Sequence, residues 1–242
     1  MLLNQQIERW LSASRESFNN SERPFVTLSY AQGWDGSITL RTGQPLALSC
    51  EESTRLTHHL RSQHDGILVG IGTVLSDDPQ LNVRRWSGPT PPGPNPQPIV
   101  LDSQLRIPAG ARLCHLADKR CWVMTSSSGE GLVDSSLEII TLPGDAEGRV
   151  CLHEALRELR RRGIRSLMVE GGANVITAFL KERLADALVL TMAPTLVGGY
   201  KAVGDLDIVL KAELPRIAPA FSGRLGDDVI MWGNLHYGAA SS

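Results

Sequence analysis

Two glycine turns, each following an apolar stretch, are the parts of this sequence best suited to hold a ligand. The first lies in GILVGIGTVLSDDPQLNVRR (66–85), where Gly70 and Gly72 would let a phosphate or ribose approach the backbone. A dinucleotide-binding fingerprint would place a third glycine where this chain has Leu75. By itself the segment favours a tight turn at a strand end, and it leaves open a damaged dinucleotide loop or the loop of another nucleotide-binding fold.

The second turn, VEGGAN (169–174), places a carboxylate at the end of a predicted strand and two glycines before a predicted helix. Ligands of open α/β sheets bind at the carboxyl ends of strands, and a helix N-terminus favours a phosphate. Glu170 would accept hydrogen bonds from a donor-rich ring or a sugar hydroxyl. The alternative is a plain turn with a capping carboxylate.

Arginine supplies twenty of the twenty-four basic residues. Its guanidinium binds phosphate through two hydrogen bonds and keeps its charge when partly buried. Arg61, near the end of a predicted helix, and Arg84, just beyond the two aspartates, suit that role, whereas the run 160–162 suits a solvated helix face. Two glycine turns and isolated arginines together indicate a nucleotide cofactor and a phosphorylated substrate.

Composition and missing motifs exclude several function classes. A net charge of −2 gives no basic field for nucleic acid or a membrane surface, and no apolar run approaches the ~20 residues of a membrane span. The sequence has no Walker loop and no metalloprotease or zinc-deaminase motif, so no metal site is expected. We interpret His58, His59 and His64 as lying on the exposed face of a helix. Four scattered cysteines and an N-terminus unlike a signal peptide predict a cytoplasmic protein.

Alternating strand and helix patterns predict an α/β fold around a mixed, mostly parallel sheet with an antiparallel C-terminal edge. An S-x-x-E capping box, Ser49 to Glu52, is expected to open a helix over 51–63. We expect one domain over 1–242, with a helical extension at 1–24 and a surface loop at 87–98, which holds six prolines. The predicted strands are 24–31, 67–69, 98–103, 121–126, 137–142, 166–170, 187–194 and 229–235, and the other predicted helices cover 2–18, 152–159 and 174–183.

Six ordered motifs show that the chain resembles the reductases of riboflavin biosynthesis. HDGILVGIGTVLSDDPQLNVR is similar to that family's D-x-I-x-V-G-x-x-T-V-x-x-D-x-P-x-L-T-V-R signature. TLSYAQGWDGSI, RTGQ with LSCEES, PIVLDSQLRIP, MVEGGANV and APTLVGG match its other motifs in chain order. The resemblance covers about residues 25–235. The resemblance therefore favours a different interpretation of the first glycine turn. On this interpretation the segment contacts both cofactor and substrate and is not a plain tight turn.

The resemblance implies a three-layer αβα, dihydrofolate-reductase-like fold, a homodimer, and NADPH as cofactor. The implied reaction reduces the ribosyl side chain of a 5-amino-6-(5-phosphoribosylamino)pyrimidine to a ribityl chain, by hydride transfer to C1′. The substrate would be a phosphorylated pyrimidine in its uracil or 2,5-diamino form, and the sequence does not choose between them. In many bacterial members of the family this reductase domain follows a zinc deaminase domain. Because this sequence has no deaminase motif, it resembles the stand-alone form of the reductase.

Carried over position by position, the resemblance implies two sets of ligand-binding residues. Asp77 belongs to the cofactor set and is also the candidate catalytic residue, orienting the reacting centre. The arginines suit the 5′-phosphate, and Glu170 suits the donors of the pyrimidine or ribityl chain. The cofactor set is Ala31, Ala47, Thr73, Asp77, Ser103, Gly172, Ala173, Asn174, Val175, Ile176, Thr177 and Ala178, and the substrate set is Pro45, Arg61, Leu81, Arg84 and Glu170.

Three positions depart from the family pattern. Gly33 stands where the family usually has Ser, Pro45 where a polar side chain often meets substrate, and Ala47 where an aromatic packs near the cofactor. The lost area at Ala47 is worth about 1–3 kcal/mol if nothing compensates. These departures leave room for an altered substrate, so one alternative is a related NADPH reductase acting on a pterin or another small molecule. A second, separate alternative is a non-catalytic nucleotide-binding protein.

Overall fold

A nine-stranded sheet organises the computed structural model, which describes residues 2–85, 93–116, 118–128 and 136–238. A separate two-stranded sheet pairs Ser37–Thr39 with Tyr200–Lys201. In chain order the strands are β1 (Phe25–Gly33), β2 (Ser37–Thr39), β3 (Gly66–Gly70), β4 (Gln97–Leu101), β5 (Cys121–Thr125), β6 (Leu137–Thr141), β7 (Ser166–Val169), β8 (Ala187–Ala193), β9 (Tyr200–Lys201), β10 (Arg216–Leu225) and β11 (Asp228–His236).

The main sheet is parallel except at its C-terminal edge. Its strand order is β10-β11-β8-β1-β7-β3-β4-β5-β6. All neighbours from β8 to β6 run parallel. Strand β11 is antiparallel to both β8 and β10. The predicted mixed, mostly parallel sheet with an antiparallel edge is therefore confirmed.

Among the described residues, five α-helices cover the two faces of this sheet. Helices α4 and α5 pack on one face, whereas α1, α2 and α3 pack on the other. Strand β3 shows why both faces are covered, because Leu68 joins the first core while Ile67 and Val69 join the second, and all three are buried. The helices are α1 (Leu3–Glu16), α2 (Glu51–Ser62), α3 (Ile71–Asp77), α4 (Leu152–Arg161) and α5 (Ala173–Lys181).

Helix α4 follows directly from its sequence pattern. Leu152, Ala155, Leu156 and Leu159 recur at helical spacing, and all four are buried against the sheet. Gly163, just past the helix, has a φ of 92°, a left-handed conformation that glycine adopts without strain. The apolar stripe and the glycine therefore determine both the buried face of α4 and the place where it ends.

Among the described residues, no helix combines the length and apolarity needed to cross a membrane.

The predicted capping box is wrong. Helix α2 begins at Glu51 with Cys50 as its N-cap, and within the described residues no side chain caps it. Instead, the Cys50 amide donates to the Asp228 carboxylate at 2.9 Å, so a residue 178 positions away satisfies the helix entry. A contact from a distant strand has replaced the local cap that the sequence pattern indicated.

The interpretation of the α2 histidines as exposed is wrong for two of them. His58 is buried because its side of α2 faces the protein interior, and His64, two residues beyond the end of α2, is buried as well. His64 Nδ1 donates to the Leu60 carbonyl at 2.7 Å, and its Nε2 accepts from the Thr27 hydroxyl at 2.9 Å. A neutral imidazole satisfies both bonds, since one ring nitrogen donates while the other accepts.

Strands β2, β9 and β10 have no counterpart among the predicted strands. Strand β10 carries no buried residue and contains Pro219, so it lacks the alternation of buried and exposed side chains that marks a strand. A register shift between Ile217 and Ala220 interrupts its pairing with β11. Of the predicted proline-rich loop, residues 87–92 lie outside the described residues, while 97 and 98 belong to β4.

The buried His64 predicts acid-sensitive stability. Burial, and then the nearby Arg15 charge, lowers the pKa of His64 well below its ordinary value. The folded protein keeps this imidazole neutral while the unfolded chain takes up a proton below about pH 6.5. The free energy of unfolding should therefore be highest above about pH 6.5 and fall below it by up to about 1.4 kcal/mol per pH unit. Urea unfolding at several pH values measures this.

A His64→Gln variant should flatten that pH dependence, although its stability at neutral pH will also fall. The exposed His153 provides the matched control, since His153→Gln removes a histidine whose side chain is 56% exposed. An unchanged pH slope in His64→Gln would contradict the prediction.

Candidate functional site

Strand register brings the two glycine turns together. Strand β3 lies between β4 and β7, with Leu68 opposite both Ile99 and Val169. The Glu170 amide donates to the Leu68 carbonyl at 3.0 Å, which continues the pairing one residue beyond β7. Parallel strands end at the same edge, so the turn that starts at Gly70 and the turn that starts at Glu170 both lie there.

Close packing of α5 explains two of the glycines. A Cβ on Gly70 would lie 2.6 Å from Val175 Cγ2, and a Cβ on Gly171 would lie 2.8 Å from Val175 Cβ. Both distances are too short for any larger residue without movement. A Cβ on Gly72, in contrast, would have no described atom within 4 Å. Gly70 and Gly171 thus serve protein packing, while Gly72 leaves open space.

The first turn of α5 can bind an anion. Its N-cap is Gly172, and among the described residues no side chain caps the helix. The first amides of a helix have no partner within it, and the helix dipole favours negative charge at this end. The Thr73 hydroxyl lies 3.5 Å from the place of a Gly172 Cβ, so it adds a donor beside the turn.

Arg61 and Glu170 form a two-pronged ion pair below this turn. Arg61 Nε donates to Glu170 Oε1 at 2.7 Å, and Arg61 Nη2 donates to Glu170 Oε2 at 2.6 Å. Arg61 Nη1 also donates to the Asn82 carbonyl at 3.0 Å. The two side chains are only 10% and 17% exposed. Burial opposes the charge of Arg61, but the Glu170 carboxylate outweighs it and raises the pKa of the guanidinium.

His58 is a site neighbour that the sequence interpretation placed on an exposed helix face. Its Nδ1 lies 3.0 Å from the Asn82 carbonyl, which also accepts from Arg61. Burial, and then the positive charges of Arg61 and Arg84, lowers the pKa of His58 to about 4. His58 is therefore neutral near pH 7. Its spacing of three residues from Arg61 on α2 is the signal that could have revealed it.

Arg84 is the accessible cation of the site. Within the described residues, its guanidinium has one hydrogen-bond partner, the Asn82 side-chain carbonyl at 3.0 Å. Partial burial, and then the charges of Arg61, Arg85 and Arg112, lowers its pKa. Clustered arginines of this kind favour an anion, because each positive charge is costly beside the others until a counter-charge binds.

The other predicted substrate residues occupy different surroundings. Leu81 is buried in the core that contains α3, and it has a φ of 50°. Pro45 and Ala47 are exposed in the segment between β2 and α2. Ala47 belongs to the predicted cofactor set. Arg61, Arg84 and Glu170 are thus the members of the substrate set that the structure brings into one cluster.

The other predicted cofactor residues follow the carboxyl edge of the sheet. Asp77 is exposed at the end of α3. Ser103 lies just beyond β4, where its hydroxyl accepts from the Val150 amide at 3.0 Å. Ala31 is half-buried near the end of β1. Within α5 the side chains divide between the core and the surface: Ala173 and Ile176 are buried, Asn174 is exposed, and Val175, Thr177 and Ala178 are half-buried.

The departure at Gly33 has a structural reason. A Cβ there would lie 2.8 Å from the Thr195 carbonyl and 2.9 Å from Asp35 Oδ1. A serine would therefore require the 195–197 segment to move.

In the described part of the chain, no group of His, Cys, Asp or Glu side chains is arranged to hold a metal ion.

Fold and site together define a class of α/β proteins that bind a phosphate-bearing ligand where parallel strands end. Within this class, the chain belongs to the RibD C-terminal domain family, whose model matches residues 24–229. The resemblance found in the sequence is thereby confirmed.

Two relatives illustrate the range of chain lengths in the family. The chain is 34% identical over 220 residues to the 2,5-diamino-6-ribosylamino-4(3H)-pyrimidinone 5′-phosphate reductase of Methanothermobacter thermautotrophicus, which covers 86% of this chain and 97% of the relative. It is 32% identical over 219 residues to the riboflavin biosynthesis protein RibD of Aquifex aeolicus, which covers 89% of this chain. The match spans 59% of that longer relative.

Solved structures share the fold. The riboflavin biosynthesis reductase Rib7 of Saccharomyces cerevisiae has a TM-score of 0.76 and 28% identity, covering 95% of this chain and 99% of that one. RibD of Acinetobacter baumannii has a TM-score of 0.81 at 24% identity, covering 93% of this chain and 62% of that one, and shows the fold alone.

The buried ion pair predicts a large loss of stability when one partner is neutralised. Glu170→Gln should lower the free energy of unfolding by about 3 kcal/mol, because it leaves the Arg61 charge buried without a counter-charge. Urea unfolding measures the effect, and adding Arg61→Met should recover part of the loss. Glu154→Gln is the matched control, since its partner Arg157 is 59% exposed. An equal, small effect of both single variants would contradict the prediction.

Proposed function

We propose that this chain is a reductase of riboflavin biosynthesis that uses NADPH to convert the ribosyl side chain of a phosphoribosylaminopyrimidine to a ribityl chain. The observation that carries the proposal is the meeting of two different binding features at one strand edge. An uncapped helix turn, Gly172 to Asn174, suits a dinucleotide phosphate, and the Arg61–Glu170 pair with Arg84 suits a phosphorylated ring. Family membership and the names of the relatives support the same reaction.

The cofactor would lie along the carboxyl edge, from the α5 turn towards Ser103. Bound there, NADPH would be the source of the hydride that reduces C1′ of the opened ribose. The backbone amides of Gly172 and Ala173 and the Thr73 hydroxyl would bind its phosphates. Gly70 and Gly171 allow α5 to pack closely against the two strand ends, which keeps the phosphate-binding groups close together. This close packing favours a fixed orientation of the bound cofactor.

The substrate would lie between the α5 turn and Arg84. Arg61 is already neutralised by Glu170, so we assign the principal phosphate contact to Arg84, whose guanidinium is accessible. The Glu170 carboxylate can accept hydrogen bonds from ring or ribityl donors while Arg61 holds it in place. Asp77, exposed at the end of α3, would orient the reacting centre.

A homodimer also fits the C-terminal edge. Strand β10 ends the sheet, has no buried residue, and exposes Phe221. Edge strands with unpaired backbone groups and exposed apolar side chains suit pairing with another copy. The dimer stays a proposal that this edge supports.

One assay tests the proposed reaction. Purified protein is given the diamino or the oxo form of the phosphoribosylaminopyrimidine, each with NADPH or NADH. Oxidation of the nicotinamide cofactor is followed by its absorbance. We expect oxidation that depends on one pyrimidine form and is faster with NADPH. Turnover of dihydropterins with neither pyrimidine reduced would favour the related reductase, and nucleotide binding without any turnover would favour a non-catalytic protein.

Arg84→Ala should raise the KM for the phosphorylated pyrimidine about tenfold or more, because a charge-assisted hydrogen bond to phosphate is lost. The KM for NADPH should change little. Arg157→Ala removes an exposed arginine from α4 and is the matched control. Steady-state kinetics with each ligand varied in turn would show the difference. An unchanged pyrimidine KM would refute phosphate recognition by Arg84.

A further inference from the structure

The Asp35 carboxylate joins two segments that are distant in sequence. It lies in the turn between β1 and β2, and its Oδ1 accepts from the Val197 amide at 3.1 Å. Its Oδ2 accepts from the Gly198 amide at 2.9 Å, the Ser37 hydroxyl at 2.6 Å and the Lys201 ammonium at 2.9 Å. These donors, Ser37 first, hold the pKa of Asp35 well below its usual range. The carboxylate is therefore charged throughout the neutral range.

Backbone contacts reinforce this junction, which we name the Asp35 clasp and define as residues 34–37 with 195–202. The Trp34 amide donates to the Thr195 carbonyl at 2.8 Å, and the Ala202 amide donates to the Gly36 carbonyl at 2.9 Å. Gly199 leaves no room for a side chain, since its Cβ would lie 2.1 Å from the Thr39 carbonyl oxygen. The 195–202 segment thus lies tightly against the turn.

The same segment also contacts α5. The Tyr200 hydroxyl donates to Asn174 Oδ1 at 3.4 Å, and the Gly204 amide, just beyond the clasp, donates to the Thr177 hydroxyl at 2.9 Å. Asn174 belongs to the first turn of α5, which is assigned to the cofactor, and Thr177 lies one turn further along the helix. A continuous series of contacts therefore runs from the Asp35 carboxylate to the cofactor turn.

Among the described residues, the clasp contributes no residue to the three hydrophobic core clusters. Its charged partner Lys201 is 52% exposed, and Trp34 and Leu196 are 60% and 79% exposed. Loss of the Asp35 bonds would leave the packing between the sheet and its helices intact. The expected consequence is a loose segment beside the cofactor turn in a protein that still folds.

We propose that Asp35 is a positioning residue for the nicotinamide cofactor, acting through the 195–204 segment on the first turns of α5. This inference rests on the proposed function only for the identity of the ligand. Asp35 itself touches neither the α5 turn nor the Arg61–Glu170 pair in the described structure. Its effect is on the arrangement of the groups that bind, which predicts a change in cofactor affinity rather than in the chemical step.

Asp35→Asn tests this proposal. The amide accepts on one side only. In one orientation its NH2 would face the Val197 amide, and in the other it would face the Gly198 amide and the Lys201 ammonium, all of which are donors. We expect the Kd for NADPH, measured by fluorescence titration, to rise about tenfold. The kcat at saturating NADPH should stay close to the wild-type value. Glu154→Gln is the matched control, because it neutralises a carboxylate in the exposed ion pair with Arg157 on α4, away from the clasp and α5.

The alternative outcomes are distinct. A purely structural role would lower the melting temperature and the folded fraction while the folded protein kept its Kd, and that result would overturn the proposal. If Asp35→Asn does not fold, Lys201→Met removes one partner and should raise the Kd about threefold, and an unchanged Kd there would equally overturn it. Wild-type protein that binds NADPH but reduces neither pyrimidine would refute the proposed reaction and leave the clasp experiment interpretable. Wild-type protein that does not bind NADPH would overturn both.

Discussion

The ion pair between Arg61 and Glu170 connects the segments from which the site is built. Arg61 comes from α2, Glu170 from the residue after β7, and the Asn82 carbonyl that also accepts from Arg61 comes from the segment after α3. Neither charge is stable in its buried place without the other. The pair therefore holds three distant segments together, and it leaves Arg84 as the cation available to a ligand.

The same electrostatics sets the protonation of the surrounding groups. His58 shares the Asn82 carbonyl with Arg61, and its burial beside two guanidinium groups keeps it neutral near pH 7. A neutral His58 adds no further positive charge to the cluster. The site thus combines one neutralised arginine, one accessible arginine and one uncharged imidazole, which suits a ligand that carries phosphate at one end and hydrogen-bond donors at the other.

Much of the fold could be predicted from local pattern. The buried strands and the apolar stripe of α4 follow from apolar spacing, because a segment covered on one or both sides must present apolar residues there. The failures also share a cause. The predicted Ser49–Glu52 capping box is absent, and the Asp228 carboxylate binds the Cys50 amide at the helix entry. His58 and His64 face the interior. In each case an element distant in sequence determines the contact, which a local sequence rule does not include. Strand β10 was not predicted because an exposed edge strand lacks the alternation of buried and exposed side chains that marks a strand.

The sequence by itself determined the types of residue at the site and the turns that hold them, since Gly70, Gly171 and Glu170 each stand beside a recognisable apolar strand. Only the tertiary structure decided their partners. Parallel register placed the two glycine turns at one edge of the sheet, and the packing of α2 turned Arg61 towards Glu170 and away from solvent. It also joined Asp35 to a segment 162 residues away. Hydrogen bonds and ion pairs act over a few ångströms in space, so spacing along the chain specifies the groups but not which of them meet.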